Sequence, residues 1–184
     1  MKKAMAFLLV LALALGVGAA CAEEEPVAMR IVECPEQGFS TLCKPDYDYS
    51  FTPDGGITIE LGPETGDPWV SIFKTDAPGA DFDAENYLTN VYRQMIAGSA
   101  DQIVNDGEYS VFTLGGKEMP GIMVMYLAEG EGRWRFCAYD LQGDYFVRYE
   151  ASSKADDAAM EQALTALAVA AGNFQPDASY YANR

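Results

Sequence analysis

The chain reads as an α+β domain in which one antiparallel sheet of about six to eight strands carries two main helices. Three observations predict this. Short runs rich in Val, Ile, Tyr and Phe recur between turn signals such as Pro53-Asp54-Gly55-Gly56 and Gly115-Gly116. Two segments alone, one opening at Asp81 or Asp83 and one at Asp156, place apolar residues at helical spacing. Four strand-like runs follow one another between those two helices, joined by gaps short enough for hairpins and too short for parallel crossovers.

In order, Met29 to Cys34 is the first strand, and Pro35 to Gly38 turns the chain into Phe39 to Cys43. The run from Lys44 to Phe51 alternates aromatic and polar residues as a half-buried strand does. Ile57 to Leu61 and Trp69 to Lys74 are strands separated by a Gly-Pro-rich loop from Gly62 to Pro68. In the first helix Tyr87, Leu88, Val91, Tyr92 and Met95 form one apolar stripe, and Gly98 is the C-terminal cap. The acidic run ahead of it lacks the Gly and Glu of a calcium loop, because Asn86 and Tyr92 stand in their places, so these carboxylates read as helix caps. Strands follow at Tyr109 to Leu114, Gly121 to Leu127, Arg133 to Asp140 and Tyr145 to Ser152. The run from Ile122 to Leu127 is apolar on both parities and belongs mid-sheet with both faces covered. Asp156 to Ala171 is an Ala-rich helix with Met160, Leu164 and Leu167 on one face, ended by Gly172.

The last hairpin has a readable register. With Gln142-Gly143 at the turn centre, Arg135 opposes Glu150, Cys137 opposes Arg148 and Tyr139 opposes Phe146. Trp134, Phe136 and Ala138 then gather with Tyr145, Val147 and Tyr149 on the apolar side, and a one-residue slip mixes the two sets. Arg133, Arg135 and Arg148 share the other side. Two readings of that patch stand: charge balance against Glu150 and its neighbours, or a docking point for an acidic ligand.

Residues 1–22 have the pattern of an export signal. Lys2 and Lys3 precede an apolar run from Ala4 to Val17, too short to cross a bilayer, and small residues lead to acidic Glu23-Glu24-Glu25. Two processing routes compete: cleavage after Ala22 at Ala20-Cys21-Ala22, or cleavage after Ala20 with lipidation of Cys21, for which Gly18-Ala19-Ala20-Cys21 is an imperfect lipobox. Either route removes Cys21 from disulfide chemistry. Cys34 and Cys43, nine positions apart in an exported chain, are the expected disulfide, closing a loop worth about 2–3 kcal/mol, with two buried free thiols as the alternative. Cys137 is left as a lone core thiol. The expected organisation is signal 1–22, an acidic tether 23–28, one α+β domain over 29–175 and a frayed tail over 176–184.

Composition excludes several functions. Removing Lys2 and Lys3 leaves ten basic residues against 28 acidic ones, taking the net charge from −16 to −18, a field that repels nucleic acid and anionic lipid. The chain has no histidine, so no Ser-His-Asp or Cys-His arrangement and no His-ligated zinc can be built. Gly115-Gly116-Lys117 is not a phosphate loop, because Val111 replaces the first Gly and Glu118 follows the Lys. Gly130-Glu131-Gly132 lacks the third Gly of a dinucleotide fingerprint. No catalytic, metal or cofactor site is expected.

Gly38-Phe39-Ser40, then Gly56-Ile57-Thr58-Ile59 and Val70-Ser71-Ile72, the helix with Tyr87-Leu88, the run Tyr145-Phe146-Val147-Arg148-Tyr149 and a closing helix near Phe174 make a recognisable layout. It resembles the α/β/α sandwich of the PsbP family, a fold also found in bacterial exported and lipoprotein families. The resemblance covers about residues 29–175. It implies an antiparallel sheet with helices packed on it and an accessory binding role, and it carries over no ligand residues. The expected function is therefore an exported, non-enzymatic binding or accessory domain at the bacterial cell envelope. Its partner would be another envelope protein or a small ligand, and a membrane would be met only through a lipid on Cys21. The alternatives are a lipid-anchored envelope assembly factor, or a carboxylate-based or metal-assisted hydrolase.

Overall fold

The computed structural model describes residues 28–64, 67–79, 81–105 and 107–177. The signal segment, Cys21, most of the acidic tether and residues 178–184 lie outside the described residues. Five strands come first: β1 (Arg30–Cys34), β2 (Phe39–Cys43), β3 (Asp48–Phe51), β4 (Ile57–Glu64) and β5 (Asp67–Asp76). One helix, α1, follows as Ala84–Asn86 in α geometry, Tyr87–Tyr92 in π geometry and Arg93–Ser99 in α geometry again. Then come β6 (Gln102–Asn105), β7 (Ser110–Leu114), β8 (Lys117–Ala128), β9 (Glu131–Leu141) and β10 (Tyr145–Lys154). Helix α2 (Asp157–Gly172) and the short β11 (Gln175–Pro176) close the domain.

An eight-stranded sheet runs in the order β3-β4-β5-β10-β9-β8-β6, with β7 also paired to β8, and every pairing is antiparallel. A separate three-stranded sheet runs β1-β2-β11. Strand alternation divides the large sheet into two buried faces. Ile57, Ile59, Val70, Ile72, Phe136, Ala138, Val147, Tyr149 and Ala151 form one face, in a single cluster with α2 and the small sheet. Ile122, Val124, Tyr126, Cys137 and Tyr139 form the other, under Leu88, Tyr92 and Ile96 of α1. The result is an α/β/α sandwich in which β8 buries Ile122, Val124 and Tyr126 under α1, whereas Met123, Met125 and Leu127 on its other face are half-buried and not, as expected, fully covered.

Both helices start where a carboxylate meets orphan amides. Asp83 Oδ1 accepts from the Asn86 N–H at 2.9 Å, and Asp156 Oδ1 accepts from the Ala159 N–H at 2.9 Å. Helix α2 turns Met160, Ala163, Leu167, Ala170 and Ala171 inward, and small residues let it sit close to its neighbours. The tightest approach is at its end, where a side chain on Gly115 (φ +56°) would lie 2.2 Å from the Gly172 nitrogen. Only glycine fits there.

Several expectations need correction. In α1, Val91 and Met95 are exposed and the buried stripe is Leu88, Tyr92 and Ile96. Bonding from i to i+5 widens the turn, so residues four and five apart, rather than three and four, share a face. The helix runs on through Gly98 to Ser99, and the chain turns extended at Ala100. The loop expected between β4 and β5 is mostly strand, interrupted by a register shift between Glu60 and Glu64. Of the strand expected over 44–51 only Asp48–Phe51 forms, with all four side chains exposed because it is a sheet edge. Strands β6 and β11 were not expected, and Pro176 and Asp177, placed in the tail, are ordered against Phe39 and Gly38.

The Cys34–Cys43 disulfide is not formed: both thiols are free and buried, as is Cys137. The reason is the register of the β1–β2 hairpin, which sets Cys34 opposite Phe39 and Cys43 opposite Arg30. The two cysteines thus sit at opposite ends of a five-residue ladder, roughly 13 Å apart, against a limit of about 7 Å for a bridge. Cys34 is satisfied instead by donating its S–H to the Gly55 carbonyl at 3.1 Å. Denatured without reductant, the protein should take up a thiol label at Cys34, Cys43 and Cys137 alike. A mass showing Cys34 and Cys43 bridged would contradict this register.

Candidate functional site

The three arginines singled out from sequence do share one face, although the hairpin that carries them pairs differently from the expected register. The Gln142 N–H donates to the Tyr145 carbonyl at 2.9 Å, which leaves Gly143-Asp144 as the loop. Cys137 therefore opposes Glu150, Tyr139 opposes Arg148, Arg135 opposes Ser152 and Arg133 opposes Lys154. The shift from expectation is two residues, and because side chains alternate with period two it leaves every residue on its predicted face.

Glu150 is at the centre of that face, on β10, with 2% of its surface exposed. Its Oε2 accepts from Arg135 Nη2 at 2.8 Å, and its Oε1 lies 2.6 Å from Arg148 Nε. Each guanidinium also covers an aromatic ring of β5, Arg135 at 4.6 Å from the Trp69 centroid and Arg148 at 4.3 Å from that of Phe73. Each then reaches the helix: Arg135 Nε donates to the Tyr92 hydroxyl at 3.1 Å, and Arg148 Nη1 donates to the Tyr87 hydroxyl at 3.3 Å. Five residues apart, Tyr87 and Tyr92 would stand about 140° apart around an α-helix; the π segment brings them to the same side. Arg133 is held separately, 3.8 Å from Asp67, whose carboxylate also accepts the Lys154 N–H at 3.0 Å.

The arrangement fits the charge-balance reading of the patch. A buried carboxylate with no counter-charge costs several kcal/mol, and here both oxygens are met. Burial pushes the Cys137 thiol well above its ordinary value, and the Glu150 charge pushes it further. The Tyr92 phenol is likewise raised, by burial first and then by Glu150 and Cys137. Neither group is prepared to act as a nucleophile or a base near neutral pH. Among the described residues no three His, Cys, Asp or Glu side chains converge as metal ligands would. A shallow cleft of about 310 Å³ is lined by Phe39 and Pro176, and another of about 390 Å³ is lined by Phe82 and Leu141, where the Phe82 ring lies 5.9 Å from that of Tyr87.

Sequence reasoning found the arginines and Glu150 but missed Trp69, Phe73, Tyr87 and Tyr92. Parity along β5 puts Trp69, Ser71 and Phe73 on one face, and the pairing of β5 with β10 makes it the face that carries Arg148 and Glu150. Nothing in the sequence marks the π segment.

Two outcomes follow from this network. Glu150→Gln should cost about 3 kcal/mol in denaturant unfolding, because two cations then lose their counter-charge, while Asp67→Asn at the rim should cost under about 1 kcal/mol. Equal costs would contradict the network. The second is alkaline. Burial raises the phenols of Tyr92, Tyr139 and Tyr149 above their ordinary value of 10.0. Below about pH 10 these phenols are protonated in both states and the stability is fully present; above it the unfolded chain ionises first and stability falls. Tyrosinate absorbance should leave a fraction of phenols untitrated until the protein unfolds, and smooth, complete titration of the folded protein would contradict the burial.

No family model matches this sequence, and no curated protein does either. Solved structures do match. Cyanobacterial PsbP (CyanoP) from Synechocystis sp. PCC 6803 superposes with a TM-score of 0.54 at 10% identity, over 86% of this chain and 98% of its own. LpqN, involved in cell envelope biogenesis of Mycobacterium tuberculosis, gives 0.49 at 15% identity over 86% and 98% of the two chains. A protein from Bacteroides thetaiotaomicron gives 0.48 at 11% identity, over 75% of this chain and 44% of its own. The topology, two helices on opposite faces of an antiparallel sheet, together with the first of these likenesses, gives this chain a PsbP-like fold.

Proposed function

We propose that this chain is an exported, non-enzymatic binding or accessory domain working at the bacterial cell envelope. The observation that carries the non-enzymatic part is the state of the most chemically able groups. Glu150, Arg135, Arg148 and Tyr92 are spent on one another, and the Cys137 thiol beside them is held protonated. A reaction centre needs groups with capacity to spare for a substrate, and this cluster is used to hold a helix on a sheet. The export part rests on the charged, apolar and small-residue order of residues 1–22. A fold shared with PsbP is compatible with an accessory role and assigns none.

The test is fractionation of bacteria producing the full chain, followed by the mass of its N-terminus. The expected products are a protein outside the cytoplasm that begins at Cys21 with a diacylglycerol adduct, which makes it an anchored factor, or one that begins at Glu23, which makes it a released one. Cytoplasmic protein retaining residues 1–22 would contradict export. Turnover of a hydrolase substrate by the purified protein, abolished by Glu150→Gln or Glu60→Gln in a variant that still folds, would contradict the non-enzymatic reading.

A further inference from the structure

We infer that the β3 edge of the large sheet accepts an extended, basic segment of a partner protein as an added strand. This goes beyond an accessory role and does not depend on the arginine network.

At the β3–β4 turn the Gly55 N–H donates to the Thr52 carbonyl at 2.9 Å and the Thr52 N–H donates to the Gly56 carbonyl at 2.9 Å, with Gly55 at φ +85°. That is a glycine bulge, and it sets which residues of β3 bond to β4. Counting back from Thr52, Ser50 and Asp48 turn their amides and carbonyls toward β4, so Tyr49 and Phe51 turn theirs outward. No strand lies on that side in the sheet order. The outward-bonding residues are also the apolar ones. Tyr49 and Phe51 are 40% and 55% exposed and their rings meet edge-on at 6.0 Å, while Arg30, which donates to the Tyr47 carbonyl, lies over the Tyr49 ring at 4.8 Å and shows that this ring takes a cation on its face. This edge presents unpaired backbone beside two exposed aromatics and has no lysine, proline or bulge within the strand, and its shortness and Asp48 limit the strands it can accept to short ones of complementary charge.

Charge selects the occupant. On the other face of the edge Asp48 stands directly opposite Glu60, a like-charged pair that destabilises a ladder. Among the described residues neither carboxylate has an ion-pair partner. An incoming strand that puts Lys or Arg beside Asp48 would relieve this repulsion, with Glu60 about 10 Å away across β3 and open to the far end of a long cationic side chain, while its alternate apolar residues would lie beside Tyr49 and Phe51. A second copy of this chain would bring another Asp48 and a whole-chain charge of −16. The partner is therefore a different protein, with apolar and basic residues in alternation.

The probe is a blocked peptide of about six residues alternating valine and lysine, matched in length to a short strand. It is added to the full chain and followed by amide hydrogen exchange. Tyr49 and Phe51 amides should become protected while that of Ser50, already bonded to β4, should not change. The double variant Asp48→Asn, Glu60→Gln should bind about five-fold more weakly, as loss of two exposed ion pairs requires. Phe51→Pro, which removes an outward donor and no β4 bond, should abolish binding with the unfolding midpoint nearly kept. If that variant fails to fold, the charge variant and the exchange pattern decide. Equal protection by a valine–glutamate peptide, binding without protection of those two amides, or protection that grows with concentration of the protein alone would each overturn the proposal, the last in favour of self-association.

Discussion

A carboxylate sealed beneath a sheet face has to be neutralised where it stands, and Glu150 meets this requirement with two guanidinium groups, one on each oxygen. Much of the α1 side of the molecule is arranged around that demand. The arginines are held flat by Trp69 and Phe73 below and reach Tyr92 and Tyr87 above, so a single buried charge links β5, β10, β9 and α1. The two tyrosines can both face the sheet because the helix between them is wound as a π-helix. A winding this uncommon persists where the surroundings over-determine it, and here the surroundings are two charge-assisted hydrogen bonds and the buried stripe of Leu88, Tyr92 and Ile96.

The other side of the sheet is held differently. Helix α2 and the small sheet close it with apolar contacts over Ile57, Ile72, Val147 and Tyr149, with the glycine contact between Gly115 and Gly172, and with neutral hydrogen bonds from Thr41 Oγ1 to the Ala170 carbonyl at 2.7 Å and from Gln162 Nε2 to the Leu61 carbonyl at 2.9 Å. One layer is therefore fastened by packing and neutral hydrogen bonds, and the other by packing plus an ionic clasp. The clasp also ties up the charges of this face, since Glu150 is paired with Arg135 and Arg148, and burial raises the Cys137 thiol and the Tyr92 phenol above their ordinary values. The site proposed for a partner is an edge, because β3 has its aromatic residues and its outward backbone on the same two positions.

Most strands were legible because alternation and turn residues are local signals, and the helix starts were legible because Asp83 and Asp156 are capping residues in sequence as in space. The faces of the last hairpin were legible while its register was not, and the reason is periodicity. Shifting the pairing by two residues preserves every inward and outward assignment, so the pattern of Arg135, Cys137, Arg148 and Glu150 fits both registers equally. The disulfide expectation failed for a related reason: nearness in sequence across a hairpin says nothing about which end of the ladder each cysteine occupies, and Cys34 and Cys43 occupy opposite ends. The stripe of α1 was misread at Val91 and Met95 because the winding was assumed to be uniform. Trp69 and Phe73 read as ordinary strand aromatics, and only the placement of β10 beside β5 turns them into platforms for cations.

Glu150 fastens α1 to the sheet from a distance, through Arg135 to Tyr92 and Arg148 to Tyr87. Amide hydrogen exchange in Glu150→Gln tests it most directly, because the two helices lie on opposite faces and serve as each other's control. Loss of protection concentrated in α1, from Leu88 to Ile96, with α2 from Met160 to Ala171 close to the parent protein, is the result expected of an ionic clasp. Equal loss in both helices, or unchanged protection in α1, would mean that the helix is held by its apolar stripe alone and that the buried charge holds nothing in place.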